Sequence, residues 1–264
     1  MHPILFQIGA FPIGTYGLML TLGFLAGMVL ARQLGKRDGL EPDTLADISV
    51  AVLMGGILGS KLLMIGVDLL HGEPLASVFS LGTLRAGGAI HGGVILGLVT
   101  FFWRIRKLKL PLSPTMDALT PGLALGQAIG RWGCFFAGCC FGTEGQVPWA
   151  VTFTSPDISQ GTPLDMPLHP VQIYNSLANF TVLGLLLLIG RKRQFKGQVA
   201  ASYFLLEGLG RTLTESWRGD LERGLWFDIS WLSTGRLTGL LFIFIGASLW
   251  VWFRRQQQTS LAEI

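Results

Sequence analysis

The chain has 264 residues, of which 50% are hydrophobic and 14% are charged, and its formal net charge is +4. Soluble domains carry about 25% charged residues, so this composition excludes an ordinary soluble protein and predicts an integral membrane protein surrounded by membrane lipids. The basic residues lie in short clusters between apolar runs rather than in one patch, which argues against a nucleic-acid partner. Residues 1–14 contain no Lys or Arg, so no cleavable signal peptide is expected.

Seven apolar stretches approach the length of about 20 residues that a helix needs to cross a bilayer. Glycines and Lys61 interrupt the second and third stretches. The sequence therefore predicts an all-α polytopic membrane protein with about seven transmembrane helices, forming a single integral membrane domain over residues 1–264. The predicted spans cover about residues 15–34, 45–66, 88–104, 116–138, 171–190, 198–217 and 235–253.

Lys and Arg are unequally distributed between the connections. Thirteen of the twenty lie in the first, third and fifth connections and in the C-terminal tail. Because cytoplasmic loops carry an excess of basic residues, we expect the N-terminus outside and the C-terminus in the cytoplasm. The long fourth connection, residues 139–170, contains no Lys or Arg. We expect it to form a small external cap, with a strand-like alternation at residues 149–155.

The segment GRWGCFFAGCCFG, residues 130–142, places Arg131 inside an apolar helix. A charged side chain at the bilayer centre costs about 2.5–3.5 kcal/mol on insertion scales, so such a residue usually faces a cavity and a counter-ion. No acidic residue lies nearby in sequence, and the glycines allow close approach of a ligand. A guanidinium can bind a phosphate through two hydrogen bonds. The segment therefore favours a buried anion site, with a phospholipid phosphate as the expected ligand.

Nearly all other polar residues at membrane depth fall in the predicted outer half of their helices. This clustering predicts one site near the outer leaflet. The glycines after His91 would leave backbone N–H groups open at a helix N-terminus, which is a favourable position for an anion. The polar residues are Tyr16, Lys61, His91, His169, Gln172, Arg211 and Glu215, with Arg218 and Asp220 just beyond the sixth span.

Structural explanations remain open for several of these residues. Arg211 and Glu215 are spaced i, i+4 and could simply pair with each other. His91 could cap its helix or be a satisfied core residue, and Lys61 could extend its amine to the interface.

Three cysteines, Cys134, Cys139 and Cys140, lie in or beside the glycine-rich segment. They lack the C-x-x-C spacing that is typical of thiol–disulfide catalysts. Their spacing is also poor for metal binding, and no His accompanies them, so no metal is expected. We interpret them as small packing residues that could form a disulfide.

The chain resembles the prolipoprotein diacylglyceryl transferase family over nearly its full length. Each matching motif is weak alone, but their combination in this order is highly specific. The motifs are TYGLMLTLGF at 15–24, GSKL at 59–62, HGG at 91–93, GRWGCFFAGCCFG at 130–142, HPVQIY at 169–174 and RTLTESWRGD at 211–220.

The resemblance implies an enzyme that moves the diacylglyceryl group of phosphatidylglycerol to the thiol of a lipobox cysteine. That cysteine belongs to the signal peptide of a prolipoprotein, and the reaction forms a thioether and releases glycerol 1-phosphate. The resemblance also implies a multi-pass protein of the bacterial cytoplasmic (inner) membrane, without a metal or soluble cofactor. Rival classes are a non-enzymatic phospholipid transporter or scramblase, which would use the arginines as headgroup guides, and a membrane thiol oxidoreductase.

The resemblance also suggests roles for individual residues. Arg131 matches the arginine that binds phosphatidylglycerol, and Arg211 matches a second essential arginine with Glu215 as its acidic companion. Both arginines would stabilise the departing phosphate. His91 is our candidate for the base that accepts the thiol proton. Further residues assigned to substrate binding or support are Tyr16, Gly92, Gly93, Gly142, Lys61, Gln172 and Arg218.

Three positions depart from the family pattern. Cys134 stands where Asn is common, Cys139 where Glu is common and Glu207 where Tyr is common. Roles that depend on those polar side chains cannot be transferred to this chain. Glu207, Arg211 and Glu215 are spaced i, i+4, i+8, so two carboxylates could flank Arg211.

Overall fold

The computed structural model describes residues 3–9, 11–74, 88–155, 161–220 and 233–262. Over these ranges the chain is mainly helical, with seven long α-helices, two β-hairpins and two short 3-10 turns, Lys36–Asp38 and Glu215–Trp217. The helices are α1 (Thr15–Gly35), α2 (Pro42–Leu70), α3 (Ile90–Lys107), α4 (Leu112–Ala137), α5 (Val171–Arg191), α6 (Gln198–Thr214) and α7 (Thr234–Ala262). The strands are β1 (Ile4–Ile8), β2 (Phe11–Gly14), β3 (Val151–Thr152) and β4 (Pro167–Leu168).

Four helical segments are long and apolar enough to cross a membrane by length and composition. Large apolar side chains such as Leu70, Ile90 and Phe244 are exposed on the helix surfaces, as expected for a chain surrounded by lipid. The prediction of a helical, multi-pass membrane protein is confirmed at this level. The four segments are Thr15–Asp38, Pro42–Leu70, Val171–Arg191 and Thr234–Thr259.

Helices α1 and α4 pack antiparallel with their backbones in direct contact. A methyl group on Gly23 would lie 2.7 Å from the carbonyl oxygen of Gly126, and one on Gly27 would clash with Gly122. Small residues permit this close approach, which drives helix association where no hydrophobic effect operates between helices. The contact brings the beginning of α1 beside the end of α4, where Gly133 packs on Tyr16.

Two further helix pairs use the same packing. Gly59 of α2 faces Gly92 of α3, and Gly208 of α6 faces Gly239 of α7. In each pair a methyl group on one glycine would meet the backbone of the partner helix. The high glycine content is therefore explained largely by helix contacts.

A buried ionic network closes one end of the bundle, which we call the opposite end. The carboxylate of Asp117 on α4 accepts backbone N–H bonds from Gly197 (2.7 Å) and Ala200 (2.9 Å) at the beginning of α6. Arg193 pairs with both Asp38 and Asp117. The hydrogen bond with Asp38 raises the pKa of Arg193, which therefore stays charged. These pairs fix the ends of α1, α4, α5 and α6 together.

Two small antiparallel hairpins complete the fold. The β1–β2 hairpin precedes α1 and was not predicted from the sequence. The β3–β4 pair lies within residues 139–170. Strand β3 falls inside the stretch 149–155 that was predicted to be strand-like, whereas β4 was not predicted. The two strands pair Val151 with Leu168 and Thr152 with Pro167.

Candidate functional site

The predicted site residues on four helices lie at the end of the bundle away from the Asp117 network, which we call the site end. It contains the beginnings of α1 and α5 and the ends of α4 and α6. Gly133 of α4 packs on Tyr16 of α1, and Ser176 of α5 donates a 2.8 Å hydrogen bond to the Ala128 carbonyl of α4. The hydroxyl of Thr214 donates to the Asn175 side chain at 2.9 Å, which ties α6 to α5.

Arg131 and Arg211 meet at the site end although 80 positions separate them in sequence. Both are half-buried, and each repels the other's positive charge. The Nε of Arg211 is buried without a hydrogen-bond partner. Within the described ranges, neither guanidinium forms an ion pair with a carboxylate. A buried cation and an unsatisfied N–H are both unfavourable, so the arrangement favours a bound anion.

Two glutamates surround Arg211 in different ways. Glu207 is 8% exposed and interacts electrostatically with both Arg131 and Arg211. Glu215 is in the 3-10 turn after α6, and its carboxylate accepts a 2.7 Å hydrogen bond from the Ser233 hydroxyl just before α7. The direct pairing of Arg211 with Glu215, which the i, i+4 spacing left open, is therefore absent from the described part of the chain. Glu215 instead anchors the beginning of α7 and acts on Arg211 through its charge.

Tyr16 lies beside this pair of arginines. It is 43% exposed in the first turn of α1, and it interacts electrostatically with Arg131. Its Cα and ring lie against Gly133, two residues after Arg131. The structure therefore brings Tyr16, Arg131, Glu207 and Arg211 together from α1, α4 and α6.

The loop after α4 packs closely against the segment after α6, and we call this contact the junction. Gly142 and Arg218 form an isolated antiparallel bridge. A methyl group on Gly142 would clash with the His169 carbonyl and lie 2.7 Å from a Val171 methyl group. These contacts explain the glycine by packing alone. Gly142 therefore helps to shape the site end, and its predicted role in lipid binding stays a prediction.

Arg218 and Gln172 complete this junction. Arg218 is 7% exposed and donates two hydrogen bonds to Asp220, at 2.8 and 2.7 Å. Burial lowers the pKa of Arg218, but the hydrogen bonds and charge of Asp220, together with Cys140, outweigh burial and raise the pKa. Gln172 is 1% exposed and donates a 2.8 Å hydrogen bond to the Cys139 carbonyl. Both residues therefore have clear positioning roles.

Hydrogen bonds among Trp149, Tyr174 and His169, which we call the relay, connect residues 139–170, the predicted cap, to α5. The Tyr174 hydroxyl accepts a 2.7 Å hydrogen bond from Nε1 of Trp149 and lies 3.0 Å from Nδ1 of His169. Tyr174 belongs to the HPVQIY motif, but neither it nor Trp149 was predicted to be functional. The sequence did contain one signal for this group, which is a tyrosine near the beginning of a predicted helix and five residues after a histidine.

His91 and its glycines lie on the α2–α3 pair. The N–H groups of Gly92 and Gly93 donate to the Ala89 carbonyl at 3.1 and 3.4 Å, so the expectation of open backbone amides is wrong. A methyl group on Gly93 would lie 2.9 Å from the Gly56 carbonyl oxygen, so close helix packing is the reason for the glycine. His91 itself is exposed in the first turn of α3. Its role as a base and that of the half-buried Lys61 stay predictions.

The three cysteines converge although their spacing argued against it. The sulfur atoms of Cys134, Cys139 and Cys140 all lie within 4.8 Å of one another, and none forms a disulfide. Hydrogen bonds with Cys134 and Cys140, together with burial, raise the pKa of Cys139. This cluster was not predicted, because the backbone turn after α4 that accompanies it is not visible in the residue spacing.

Comparison with known proteins agrees with the pattern of motifs. The family model described as prolipoprotein diacylglyceryl transferase matches residues 3–252. A phosphatidylglycerol–prolipoprotein diacylglyceryl transferase of Clostridium tetani is 36% identical over 93% of this chain and 95% of its own length. Proteins of the same name from Finegoldia magna and Gloeobacter violaceus are 30% and 32% identical, over 97% and 96% of this chain and 97% and 93% of their own lengths.

These matches span the whole bundle, including every element that contributes to the site end. They cover Tyr16 on α1, Arg131 on α4 and Arg211 on α6, the residues that the fold brings together. With the family match and these full-length relatives, the chain belongs to the prolipoprotein diacylglyceryl transferase family.

Proposed function

We propose that this protein transfers the sn-1,2-diacylglyceryl group of phosphatidylglycerol to the lipobox cysteine of a prolipoprotein signal peptide. The observation that carries the proposal is the pair Arg131 and Arg211, two half-buried cations without a carboxylate partner in the described ranges. Two guanidiniums at one place suit a phosphate ester better than a neutral ligand. The names of the full-length relatives supply the same two substrates.

The proposed reaction is a displacement at the glycerol carbon that bears the phosphate ester. The cysteine thiol loses its proton to a base, for which His91 is our candidate. The sulfur then forms a bond to that carbon while the bond between the carbon and the phosphate oxygen breaks. The products are the thioether and glycerol 1-phosphate, which carries away the electron pair.

Arg131 and Arg211 stabilise the charge that develops on the leaving phosphate. Fixed cations in a site that excludes water act strongly, because they need not reorganise as charge develops. The empty hydrogen-bonding position at the Nε of Arg211 would be filled by a phosphate oxygen. Glu207 would limit the repulsion between the arginines before the lipid binds. Tyr16 would hold the headgroup beside Arg131.

We place this reaction near the outer leaflet of a bacterial cytoplasmic membrane. The excess of Lys and Arg at the opposite end, in the connections after α1, α3 and α5, supports a cytoplasmic position for that end. All seven long helices would then cross the membrane, and residues 139–170 would form an external cap. Both substrates would enter from the lipid phase.

The decisive experiment combines purified protein, phosphatidylglycerol and a synthetic lipobox peptide. The expected result is a peptide mass increase equal to one diacylglyceryl group, together with one glycerol 1-phosphate per event. A peptide with Ser in place of the lipobox Cys, and phosphatidylcholine in place of phosphatidylglycerol, serve as controls. Lipid movement between leaflets without peptide modification would indicate a transporter, and disulfide exchange alone would indicate an oxidoreductase; either outcome overturns the proposal.

His91→Gln tests the base separately. If His91 accepts the thiol proton, this variant lowers kcat and changes the dependence of kcat on pH. If the pH profile is unchanged and only KM rises, His91 positions a substrate instead.

A further inference from the structure

The three cysteines form a compact cluster that the transfer reaction does not use. Cys134 belongs to the last turn of α4, and Cys139 and Cys140 follow the end of that helix. Their sulfur atoms lie within 4.8 Å of one another, so three soft donor atoms are close enough to share one ion. Within the described residues this is the one group of three or more such side chains that could hold a metal ion.

The backbone between Ala137 and Cys140 turns sharply after the end of α4. Gly138 ends α4 in the left-handed conformation, with a φ of 78°, and Cys140 is also left-handed, with a φ of 59°. A positive φ is uncommon for a residue that is not glycine, and it persists only when surrounding contacts enforce it. Two such contacts are visible: the Thr162 hydroxyl donates to the Gly138 carbonyl at 3.0 Å, and Gln172 donates to the Cys139 carbonyl at 2.8 Å.

The spacing of the sulfurs fits a shared cation. Thiolates bind Zn²⁺ at about 2.3 Å, which places three sulfurs around one ion roughly 4 Å apart. The sulfurs all lie within 4.8 Å of one another, a range that includes this spacing. A disulfide requires sulfurs about 2 Å apart, and none of the three cysteines is in a disulfide.

Two arginine side chains lie beside the cluster. The Arg218 guanidinium hydrogen-bonds the Cys140 thiol, and Arg131 interacts electrostatically with Cys134. A bound ion would replace the thiol protons, because sulfur binds metals in its deprotonated form. Three thiolates with one Cu⁺ or Zn²⁺ carry a net negative charge, which these arginines would balance.

We propose that Cys134, Cys139 and Cys140 bind one thiophilic cation of the Cu⁺ or Zn²⁺ class in a three-sulfur site beside Arg131. Each thiol that binds the ion releases its proton to solvent. Soft sulfur ligands select these ions over Mg²⁺ and Ca²⁺. The site is separate from the transferase reaction and would exist whether or not the chain has that activity.

The test is metal titration of the reduced, detergent-purified full-length protein. The chain contains only three cysteines, so thiol counting is unambiguous. Cu⁺ and Zn²⁺ are added separately against a competing chromophoric chelator, and sulfur-to-metal charge-transfer absorption is recorded for Cu⁺. We expect one ion per chain, protection of all three thiols from alkylation, and no binding of Mg²⁺.

Single Cys→Ser variants locate the site. Each should weaken binding roughly 10–100-fold or more, because even outer-shell changes have effects of that size. His71→Gln is the matched control, since it removes an exposed metal-binding side chain outside the cluster and should leave the affinity unchanged. Circular dichroism of each variant identifies misfolded protein, and only folded variants are compared.

Three results would overturn the proposal. The first is failure of the reduced protein to bind either ion. The second is unchanged affinity in the Cys134→Ser, Cys139→Ser, Cys140→Ser triple variant. The third is a disulfide within the cluster that reforms in air and prevents metal binding, which would identify a redox pair instead.

Discussion

The two ends of the bundle differ in whether their arginines are paired with carboxylates. At the opposite end, Arg193 pairs with Asp38 and Asp117, and the Asp117 carboxylate also accepts two backbone N–H bonds. At the site end, Arg131 and Arg211 have no carboxylate pair among the described residues, and one N–H of Arg211 is left unsatisfied. A cation that stabilises a fold is surrounded by its partners, whereas a cation kept for a ligand is not.

Removing either unpaired arginine should give the largest functional effect. Arg131→Ala and Arg211→Ala are each expected to lower kcat by roughly 10²–10³-fold, because each loses a group that stabilises the departing phosphate. Lys at either position should restore only part of the rate, since Lys cannot bind a phosphate through a planar fork. The diacylglyceryl mass shift of the peptide measures this.

The control for these variants is Arg191→Ala, which removes an exposed arginine at the end of α5. It should transfer the lipid at the wild-type rate. A folded Arg131→Ala variant with normal kcat would contradict the assignment of the site.

A matched pair of methionine variants tests the comparison of the two ends directly. Arg193→Met should lower the free energy of unfolding by about 3 kcal/mol, since it leaves two buried carboxylates unpaired. This is the lower end of the range for buried pairs, because the Arg193 side chain is 23% exposed. Arg211→Met should leave stability unchanged or raise it, because it removes an unpaired cation.

Activity should change in the reverse order. Arg193→Met should keep its transfer rate per folded molecule, and Arg211→Met should lose it. Thermal unfolding in detergent and the transfer assay, made on the same preparations, measure both quantities. If both variants lose stability equally, the two ends do not differ in the way the contacts indicate.

Gly142→Ala should disturb the junction at the site end by a smaller amount. The added methyl group would clash with the His169 carbonyl and crowd Val171, and such overpacking costs about 1–3 kcal/mol. The displaced loop should also lower transfer. Gly184→Ala on α5 is the control, because no atom lies within 4 Å of the added group and alanine favours a helix. Equal stability of the two variants would show that the junction is not tightly packed.

The helices and the two arginines could be predicted because their signals are local. A long apolar run indicates a span, and an arginine inside such a run indicates a buried charge. The Asp117 network was not predicted, because its members, Asp38, Asp117 and Arg193, are far apart in sequence. Only the packing of α1, α4 and α6 brings them together.

The differences between sequence and structure have local physical causes. The i, i+4 pairing of Arg211 with Glu215, one of the alternatives, requires a continuous helix, but α6 ends at Thr214 and Glu215 begins a 3-10 turn. The backbone amides of Gly92 and Gly93 were expected to be open but donate to the Ala89 carbonyl, since a glycine in a sequence does not reveal whether a ligand or another helix approaches it. The cysteine cluster depends on the left-handed backbone at Cys140, which periodicity cannot show.

The smallest expected effect is that of Tyr174→Phe, which removes the hydroxyl shared by Trp149 and His169. The loss should be about 1 kcal/mol, since Trp149 is exposed and can bond to water instead. Limited proteolysis should cut the cap faster in this variant. Tyr203→Phe is the control, because it also removes one hydroxyl hydrogen bond, to Gln127, but lies away from the cap.

The comparison of these two tyrosine variants separates support of the cap from catalysis. If the relay only holds the cap, Tyr174→Phe changes proteolysis but leaves kcat within about tenfold of the wild type. A tenfold change corresponds to about 1.4 kcal/mol. If kcat falls as far as in Arg131→Ala while stability stays the same, His169 and Tyr174 take part in the reaction. The site end would then extend beyond the two arginines into the cap.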